Sequence, residues 1–404
     1  MLKALVFNVP AHGHINPSLP LVAELGRRGH QITYVATERY RASIEAAGAL
    51  FQAYATLRDD YFDSNGLHGG LPNKVADHLI ATSQQILPEL LDIARAARPD
   101  YIVYDGMCPW GYFVARILRL PAVVSLALMA PVSPPATAML NWATLRLVGP
   151  MLLRDIGQGV AANRRVRRLA KQYAIPPLGP ASLLSAPGDL AISYTSAYFQ
   201  PFAATAPDTV RFVGWTLGES PASQAFALDV PPGKRLIYVS LGTMNNKAVA
   251  FFKHCIAAFS GQDDYVLMST GNAIDPAAFG ALPANIAIQR WVPQSEVLQR
   301  AALFISHGGL NSIHDALYCG VPLLLVAQQE EQAFNARRVV ELGAGLMLEK
   351  SQVSAPALRT LAARLLAAAS FKEQAQRIGA TLREAGGAPR AADEVEGLLR
   401  TVRG

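Results

Sequence analysis

Short apolar runs that alternate with segments of helical spacing constrain the fold more than any other feature of the sequence. Residues 4–9, 100–105, 235–241 and 303–306 are mostly apolar runs of the kind that form strands buried on both faces. Each run is followed within a few residues by a glycine or a proline. Next comes a segment in which apolar residues recur every three to four positions. Strand–helix–strand units imply parallel sheets covered by helices, so we predict an α/β protein.

Two series of these units divide the chain. The predicted elements of the first series are strands at 4–9, 31–36, 100–105, 121–127 and 189–194, a loop at 11–16, a helix from near Pro17 to Gly29 and a helix at 110–118. Residues 55–85, rich in Asp, Asn, Gly and His, are predicted to form a long loop with a helix that shapes a pocket. The second series has predicted strands at 235–241, 265–270, 286–290, 303–306 and 322–327, and helices at 247–260, 294–300, 311–319 and 330–342.

The length of 404 residues exceeds what one hydrophobic core usually organises. Residues 210–214 are a short extended piece, and residues 219–233 are rich in proline, serine and alanine, as surface linkers are. We predict two Rossmann-like parallel-sheet domains that face each other across a cleft where two substrates meet. The predicted parts are an N-terminal domain at 1–208, a linker at 209–233, a C-terminal domain at 234–380 and a helix at 381–404 that packs back towards the N-terminal domain.

Composition and charge exclude several classes of protein. The net charge of +6 is moderate for this length, and no basic face with interleaved aromatic residues indicates a nucleic-acid partner. Three widely separated cysteines, Cys108, Cys255 and Cys319, fit a reducing compartment and argue against a disulfide framework or a zinc site. The uncharged stretch at 120–145 is interrupted by four prolines, which argues against a membrane span. We therefore expect a cytoplasmic protein without an integral membrane segment.

A cluster of basic residues at 154–171 admits two interpretations. It contains Arg154, Arg164, Arg165, Arg167, Arg168 and Lys171. A solvated helix face explains the cluster, and a patch for an anionic membrane or substrate is the alternative.

The turn His307-Gly308-Gly309 lies between an apolar run and a segment with helical spacing. The first N–H groups of a helix have no partner within the helix, and the helix dipole favours negative charge there, so this turn predicts an anion site. A purely structural alternative exists, because Ser312 followed by Asp315 also fits a capping box that starts the helix.

Motifs spread over nearly the whole chain resemble those of UDP-sugar-dependent glycosyltransferases with the GT-B fold, especially the bacterial macrolide-type members. The motifs are residues 11–17 (AHGHINP), residues 239–243 (VSLGT) and a long signature at 291–332 with W-x-P-Q, H-x-G-x-N-S-x-x-acid, G-V-P and E-Q. The long signature also matches that of plant secondary-product glycosyltransferases. Many residues at set spacing over 42 positions make it specific.

The resemblance implies a role for each matching position. Trp291 would stack on the uracil ring beside Val292 and Gln294, although a conventional buried tryptophan is the alternative. Glu331 and Gln332 would read the sugar hydroxyls. Asp315 would bind the ribose, but the family has glutamate there, which leaves the preference for UDP over dTDP open. The residues that would contact the diphosphate are His307, Gly309, Asn311, Ser312 and Thr243.

His14 and Asp105 are the predicted catalytic pair. Both follow predicted strands, whose carboxyl ends share one edge of a parallel sheet. Glycosyl transfer needs a base for the acceptor proton, imidazole has a suitable pKa, and a carboxylate on its other nitrogen selects the tautomer. The resemblance assigns these roles to His14 and Asp105, with His12 as the rival base.

The expected reaction inverts the anomeric centre and needs no metal, with glucose as the expected sugar. No Asp-x-Asp pair follows a strand in the second series, and helix N–H groups with His307 could stabilise the leaving diphosphate. The acceptor is expected to be lipophilic or aromatic, such as a macrolide, polyketide, flavonoid or carotenoid. Its predicted pocket comprises Ile15, Met107, Leu126, Met129, Met139 and Trp142. The alternatives are a dTDP-sugar-dependent enzyme and a non-catalytic nucleotide-sugar-binding protein; the sequence predicts no oligomeric state.

Overall fold

A computed structural model describes residues 1–61, 72–132, 156–179, 182, 184–217, 226, 229–242, 248–271 and 274–403. The chain divides into two compact units. Unit 1 comprises Met1–Thr216 with Ala385–Gly404, and unit 2 comprises Leu217–Glu384. The predicted α/β class is confirmed, because each unit has a parallel sheet.

The sheet of unit 1 has the strand order β3-β2-β1-β4-β5-β6-β7 among the described residues, and all neighbours are parallel. Its strands are β1 Lys3–Phe7, β2 Gln31–Ala36, β3 Leu50–Ala53, β4 Tyr101–Asp105, β5 Ala122–Leu126, β6 Leu190–Ser193 and β7 Val210–Phe212. The chain direction across the sheet reverses between β1 and β4. Ligands bind beyond the carboxyl ends of strands at such a switch point, and Asp105 ends β4 there.

The helices of unit 1 cover this sheet, and their bounds are α1 His12–Arg27, α2 Arg41–Ala46, α3 Pro72–Ala97, α4 Pro109–Leu118 and α5 Ile156–Tyr173. The short α2 and the strand β3 were not predicted. The helix expected at 55–85 begins at Pro72 and runs to Ala97, while residues 62–71 lie outside the described part of the chain. The basic cluster lies on α5, except for Arg154, which lies outside the described part of the chain.

The start of α1 corrects the predicted loop at 11–16. The helix begins at His12, and the N–H groups of His14 and Ile15 both donate to the Ala11 carbonyl at 3.0 Å. Pro17 therefore lies inside the helix, where proline removes a backbone hydrogen bond. Two side chains bond to this part of the helix: Asn8 donates to the His14 carbonyl and Ser18 to the Ile15 carbonyl. The prediction relied on proline as a marker of helix starts, and tertiary contacts override that local preference.

Unit 2 repeats the topology with the order β10-β9-β8-β11-β12-β13, again parallel throughout the part of the unit that the structure describes. Its strands are β8 Leu236–Ser240, β9 Tyr265–Ser269, β10 Ile286–Gln289, β11 Ala301–Ser306, β12 Leu323–Leu325 and β13 Gly345–Met347. Its helices are α6 Val249–Phe259, α7 Gln294–Leu298, α8 Leu310–Tyr318, α9 Glu330–Glu341, α10 Ala355–Ala367 and α11 Ala369–Glu384. The switch point of this sheet lies between β8 and β11.

The predicted linker at 209–233 contains a strand, because β7 pairs with β6 as the last strand of the unit 1 sheet. The strand lies in the extended piece expected at 210–214, and its side chains are only partly buried. The last helix, α12 Gly387–Arg403, contacts α1 within unit 1. Arg28 joins the two helices, since its guanidinium lies 2.7 Å from Asp393 and 3.1 Å from Glu396.

The sheets form the centres of the two cores. In unit 1 a cluster that includes Phe7, Tyr104 and Trp110 is fully buried, and in unit 2 Ile237, Ile305 and Phe252 are buried in the same way. Among the described residues, no helix is both long enough and apolar enough to cross a bilayer.

Candidate active site

The turns after β8 and β11 lie at the switch point of unit 2. Ser240 and Ser306 are paired in register at the ends of these strands. Each hydroxyl accepts a hydrogen bond from the backbone N–H two residues later, at Gly242 (3.2 Å) and Gly308 (3.4 Å). Hydroxyls that bond nearby backbone groups stabilise tight turns. The two strand ends are thus shaped in the same way.

The His307 ring fits between two glycines that leave it room. A Cβ atom on Gly242 would lie 2.6 Å from the His307 Cε1 atom, and one on Gly309 would lie 2.5 Å from Nε2. Gly242 also has a φ of +73°, a conformation that residues with side chains rarely adopt. The glycines therefore position the imidazole as well as opening the turn.

His307 is neutral at ordinary pH, because burial lowers its pKa to about 4. Its Nδ1 atom is buried and has no hydrogen-bond partner among the described residues. A neutral imidazole carries one N–H, and the ring forms a hydrogen bond with the Ser240 backbone.

Helix α8 begins at Leu310 with Gly309 as its N-cap, and no side chain caps it. The first helical hydrogen bond runs from the Ile313 N–H to the Gly309 carbonyl at 3.0 Å. The capping-box interpretation is therefore wrong, because Ser312 is the third helical residue and lies inside the first turn. The N–H groups of Leu310, Asn311 and Ser312 precede that first bond, as expected for an anion site.

Gln294 connects the two parts of the predicted nucleotide site. Its Nε2 atom donates to Asp315 Oδ2 at 2.8 Å and to Ser312 Oγ at 3.4 Å. The Val292 side chain is buried, whereas Trp291 is 63% exposed. The conventional buried tryptophan is therefore wrong for Trp291, and its exposed ring offers a surface on which a planar base could stack.

The first residues of α9 pack directly on the His307-Gly308-Gly309 turn. Asn335 donates to the Gly308 carbonyl at 3.3 Å and also to the carboxylate of Glu331. Glu331 is exposed, whereas Gln332 is buried and its Oε1 accepts from the Gln328 N–H at 2.9 Å. A Cβ on Gly308 would lie 2.9 Å from the Gln332 carbonyl oxygen. The predicted sugar-binding and diphosphate-binding residues thus form one connected cluster.

His14 and Asp105 meet at the switch point of unit 1. The His14 Nδ1 atom lies 2.9 Å from Asp105 Oδ2, and the two side chains are 13% and 1% exposed. Asp105 Oδ1 accepts from the Met107 N–H at 2.8 Å, which orients the carboxylate. A carboxylate only accepts hydrogen bonds, so His14 carries its proton on Nδ1 and its lone pair on Nε2.

The rival His12 has a different environment. Its ring packs edge-to-face on Tyr40, with 4.9 Å between ring centroids, and burial lowers its pKa. The structure pairs His14, and not His12, with Asp105.

The predicted acceptor residues have different degrees of burial. Ile15 is fully buried and offers no accessible surface, because it lies on the inner side of α1. Leu126 is also buried, whereas Met107 and Met129 are partly exposed. Met139 and Trp142, like Thr243 of the predicted diphosphate site, lie outside the described residues.

Three polar residues in these clusters were not predicted. Asn8 is buried at the end of the first apolar run, where a polar side chain is itself a signal. Asn335 lies one helical turn after Glu331, a spacing at which side chains meet. Ser240 ends β8 in register with Ser306, and only the strand pairing reveals that relationship.

Two parallel sheets with this topology, each with polar residues at its switch point, match the GT-B fold of solved glycosyltransferase structures. The crystal structure of the calicheamicin glycosyltransferase CalG4 superposes with a TM-score of 0.82 and 31% identity, covering 99% of this chain and 98% of that chain. The structure of the glycosyltransferase of kitacinnamycin gives a TM-score of 0.85 at 26% identity, covering 98% and 99%.

Sequence comparison identifies the family. The C-terminal domain of erythromycin biosynthesis protein CIII-like proteins matches residues 254–396. The NDP-glycosyltransferase YjiC of Bacillus subtilis is 32% identical over 98% of this chain and 97% of its own length. The oleandomycin glycosyltransferase of Streptomyces antibioticus is 29% identical over 98% and 90%. The chain therefore belongs to the bacterial NDP-glycosyltransferase family, which confirms the predicted resemblance.

Proposed function

We propose that this protein transfers glucose from UDP-glucose to a hydroxyl of a lipophilic or aromatic small molecule, with inversion and without a metal. The observation that carries the proposal is the 2.9 Å contact between His14 Nδ1 and Asp105 Oδ2. It directs the lone pair of a partly accessible imidazole to Nε2, as a general base requires. Such base catalysis typically contributes about 10²–10⁴-fold to the rate.

The step balances as a single displacement. The acceptor oxygen bonds to the anomeric carbon while its proton moves to His14 Nε2. The bond from the anomeric carbon to the phosphate oxygen breaks, and UDP leaves with the electron pair. Attack from the side opposite the leaving group inverts an α-linked donor to a β-glycoside.

The donor side of the proposal rests on unit 2. The start of α8 supplies N–H groups where the diphosphate develops negative charge, with His307 in the turn beside them, which supports departure of UDP without a metal. The exposed Trp291 would stack on the uracil, and Gln294 with Asp315 would bind the ribose. Glu331, placed beside the turn by Asn335, would bind the sugar hydroxyls, with Gln332 next to it.

The acceptor class rests on relatives and on the partly exposed apolar residues Met107 and Met129. Relatives include the oleandomycin glycosyltransferase at 29% identity and the zeaxanthin glucosyltransferase of Pantoea ananas at 25% identity. Both names describe large, mostly apolar acceptors. A lipophilic acceptor is the shared property that we extend to this chain.

A dTDP-sugar donor is the second candidate, and the contact between Gln294 and Asp315 favours it. The aspartate is one methylene shorter than the glutamate of the family signature and is already bonded at 2.8 Å. A carboxylate held in this way would bind the ribose hydroxyls less tightly. A donor that lacks the 2′-hydroxyl would then lose less binding free energy.

The test is an assay with UDP-glucose and a panel of macrolide and phenolic acceptors, using wild type, His14→Ala and His12→Ala. We expect a β-glycoside by NMR, equal rates with and without EDTA, and loss of about 10²–10⁴-fold in kcat only for His14→Ala. Retained anomeric configuration would exclude the single displacement. Equal rates for His14→Ala and wild type would remove His14 as the base, and binding of UDP-glucose without any product would indicate a non-catalytic nucleotide-sugar-binding protein.

A further inference from the structure

Asn8 connects the end of β1 to the backbone of the proposed base. Its side chain is 1% exposed, and its Nδ2 atom donates to the His14 carbonyl oxygen at 3.1 Å and to the Tyr34 hydroxyl at 3.0 Å. His14 lies in the first turn of α1, where its side chain reaches Asp105. The amide of Asn8 thus contacts the same residue whose imidazole forms the catalytic pair.

Neighbouring side chains hold Asn8 in place. The Tyr54 hydroxyl donates to the Asn8 carbonyl at 3.0 Å and accepts from Trp110 Nε1 at 3.2 Å. On the other side, the Tyr34 hydroxyl lies 2.8 Å from Ser18 Oγ, which donates to the Ile15 carbonyl at 2.8 Å. All of these side chains are buried, so the network is a rigid support beneath the first turns of α1.

Stability alone does not account for an asparagine at this position. Its Oδ1 atom is buried and makes no hydrogen bond among the described residues. An unsatisfied buried acceptor destabilises the folded state by the cost of removing it from water. The other side chains of the run, Leu5, Val6, Phe7 and Val9, are apolar and buried.

We propose that Asn8 is a positioning residue for His14. Its hydrogen bond to the His14 carbonyl fixes the distance between the end of β1 and the first turn of α1. That distance determines where the imidazole lies relative to Asp105 and the acceptor hydroxyl. The inference rests on the proposed role of His14 as the base. It assigns to Asn8 no contact with either substrate.

The test compares Asn8→Leu, which removes the amide but keeps a branched shape, with Tyr34→Phe. Tyr34→Phe removes the other acceptor of the Asn8 amide and leaves the His14 bond in place. We expect Asn8→Leu and Tyr34→Phe to lose similar stability in urea unfolding, because each leaves one partner of their shared hydrogen bond behind. Only Asn8→Leu should also lose about 10²-fold in kcat. Its KM for the donor should be unchanged. Tyr34→Phe should lose stability and keep kcat within about threefold. A purely structural role predicts that stability and kcat fall together in both variants.

Asn8→Ala is the alternative variant if Asn8→Leu does not fold, because it removes the amide without adding volume. For either variant that folds, NMR titration of the His14 ring should show a shifted midpoint relative to wild type, a change that a merely structural residue would not cause. A midpoint and kcat equal to wild type would overturn the inference.

His14→Ala, measured alongside, separates the two proposals. If His14→Ala retains wild-type kcat, His14 is not the base and the proposed function fails at that residue. If His14→Ala is inactive while Asn8→Leu and Asn8→Ala keep wild-type kcat, only the role of Asn8 fails.

Discussion

Gln294 Nε2 donates to Asp315 Oδ2 at 2.8 Å, across the start of α8. The same nitrogen lies 3.4 Å from Ser312 Oγ, so one amide contacts both helix residues. The shorter acid of this chain is therefore held by a neighbour that belongs to the same signature. That relationship bears directly on nucleotide preference.

Lengthening the acidic side chain at position 315 should increase the preference for ribose over 2′-deoxyribose. In Asp315→Glu the carboxylate extends past Gln294, so we expect it to bond the ribose hydroxyls. A hydrogen bond to a charged group contributes roughly 1.5–3 kcal/mol, so affinity for UDP relative to 2′-deoxy-UDP should rise about 10–100-fold. Calorimetry with UDP, 2′-deoxy-UDP and dTDP measures the ratio, and 2′-deoxy-UDP removes the effect of the thymine methyl group. An unchanged ratio would show that Asp315 does not read the ribose.

Adding one methyl group to the turn should displace His307. In Gly309→Ala the new Cβ would lie 2.5 Å from the His307 Nε2 atom, closer than atoms approach without movement. We expect UDP affinity to fall at least tenfold, measured by calorimetry. Gly26→Ala is the matched control, because a Cβ there meets nothing within 4 Å. Gly26 lies inside α1, so its replacement should stabilise the protein by about 0.5–1 kcal/mol and leave UDP binding unchanged. Equal affinities for all three proteins would contradict the proposed role of the turn.

His307 should make the protein sensitive to acid. Burial lowers its folded-state pKa to about 4, below the unfolded value near 6.5. Between these values the unfolded state binds more protons, so its contribution to stability is present above pH 6.5 and is lost as the pH falls towards 4. The slope is at most about 1.4 kcal/mol per pH unit. Urea unfolding at pH 7 and pH 5 should show a larger loss of free energy of unfolding for wild type than for His307→Gln. An equal loss would mean that His307 is not buried in its neutral form.

Replacing the carboxylate partner should impair the base without removing it. Asp105→Asn keeps the acceptor for the Met107 N–H, but its amide can donate to His14 Nδ1, which favours the wrong tautomer. We expect kcat to fall by about 10²–10⁴-fold. Asp189→Asn, which alters the ion pair with Arg116 at 3.1 Å, is the control and should keep wild-type kcat. If Asp105→Asn retained full activity, the carboxylate would have no role in selecting the tautomer.

The class of fold and many residues of the candidate site could be predicted from the amino-acid sequence. Apolar runs such as residues 235–241 identify strands buried on both faces, because burial depends on local composition and period. The pairing of His14 with Asp105 also followed, since both lie after parallel strands and the carboxyl ends of such strands share an edge. The long signature at 291–332 supplied the remaining donor residues.

The contacts that hold these residues in place could not be predicted from the sequence and are seen in the folded chain. It starts α1 at His12 in spite of Pro17, replaces the capping box with the contacts of Gln294, and encloses the His307 ring between Gly242 and Gly309. It also reveals the supports provided by Asn8 and Asn335. Each of these depends on side chains from separate elements that meet within a few ångströms, and the order of residues along one element carries no record of such contacts.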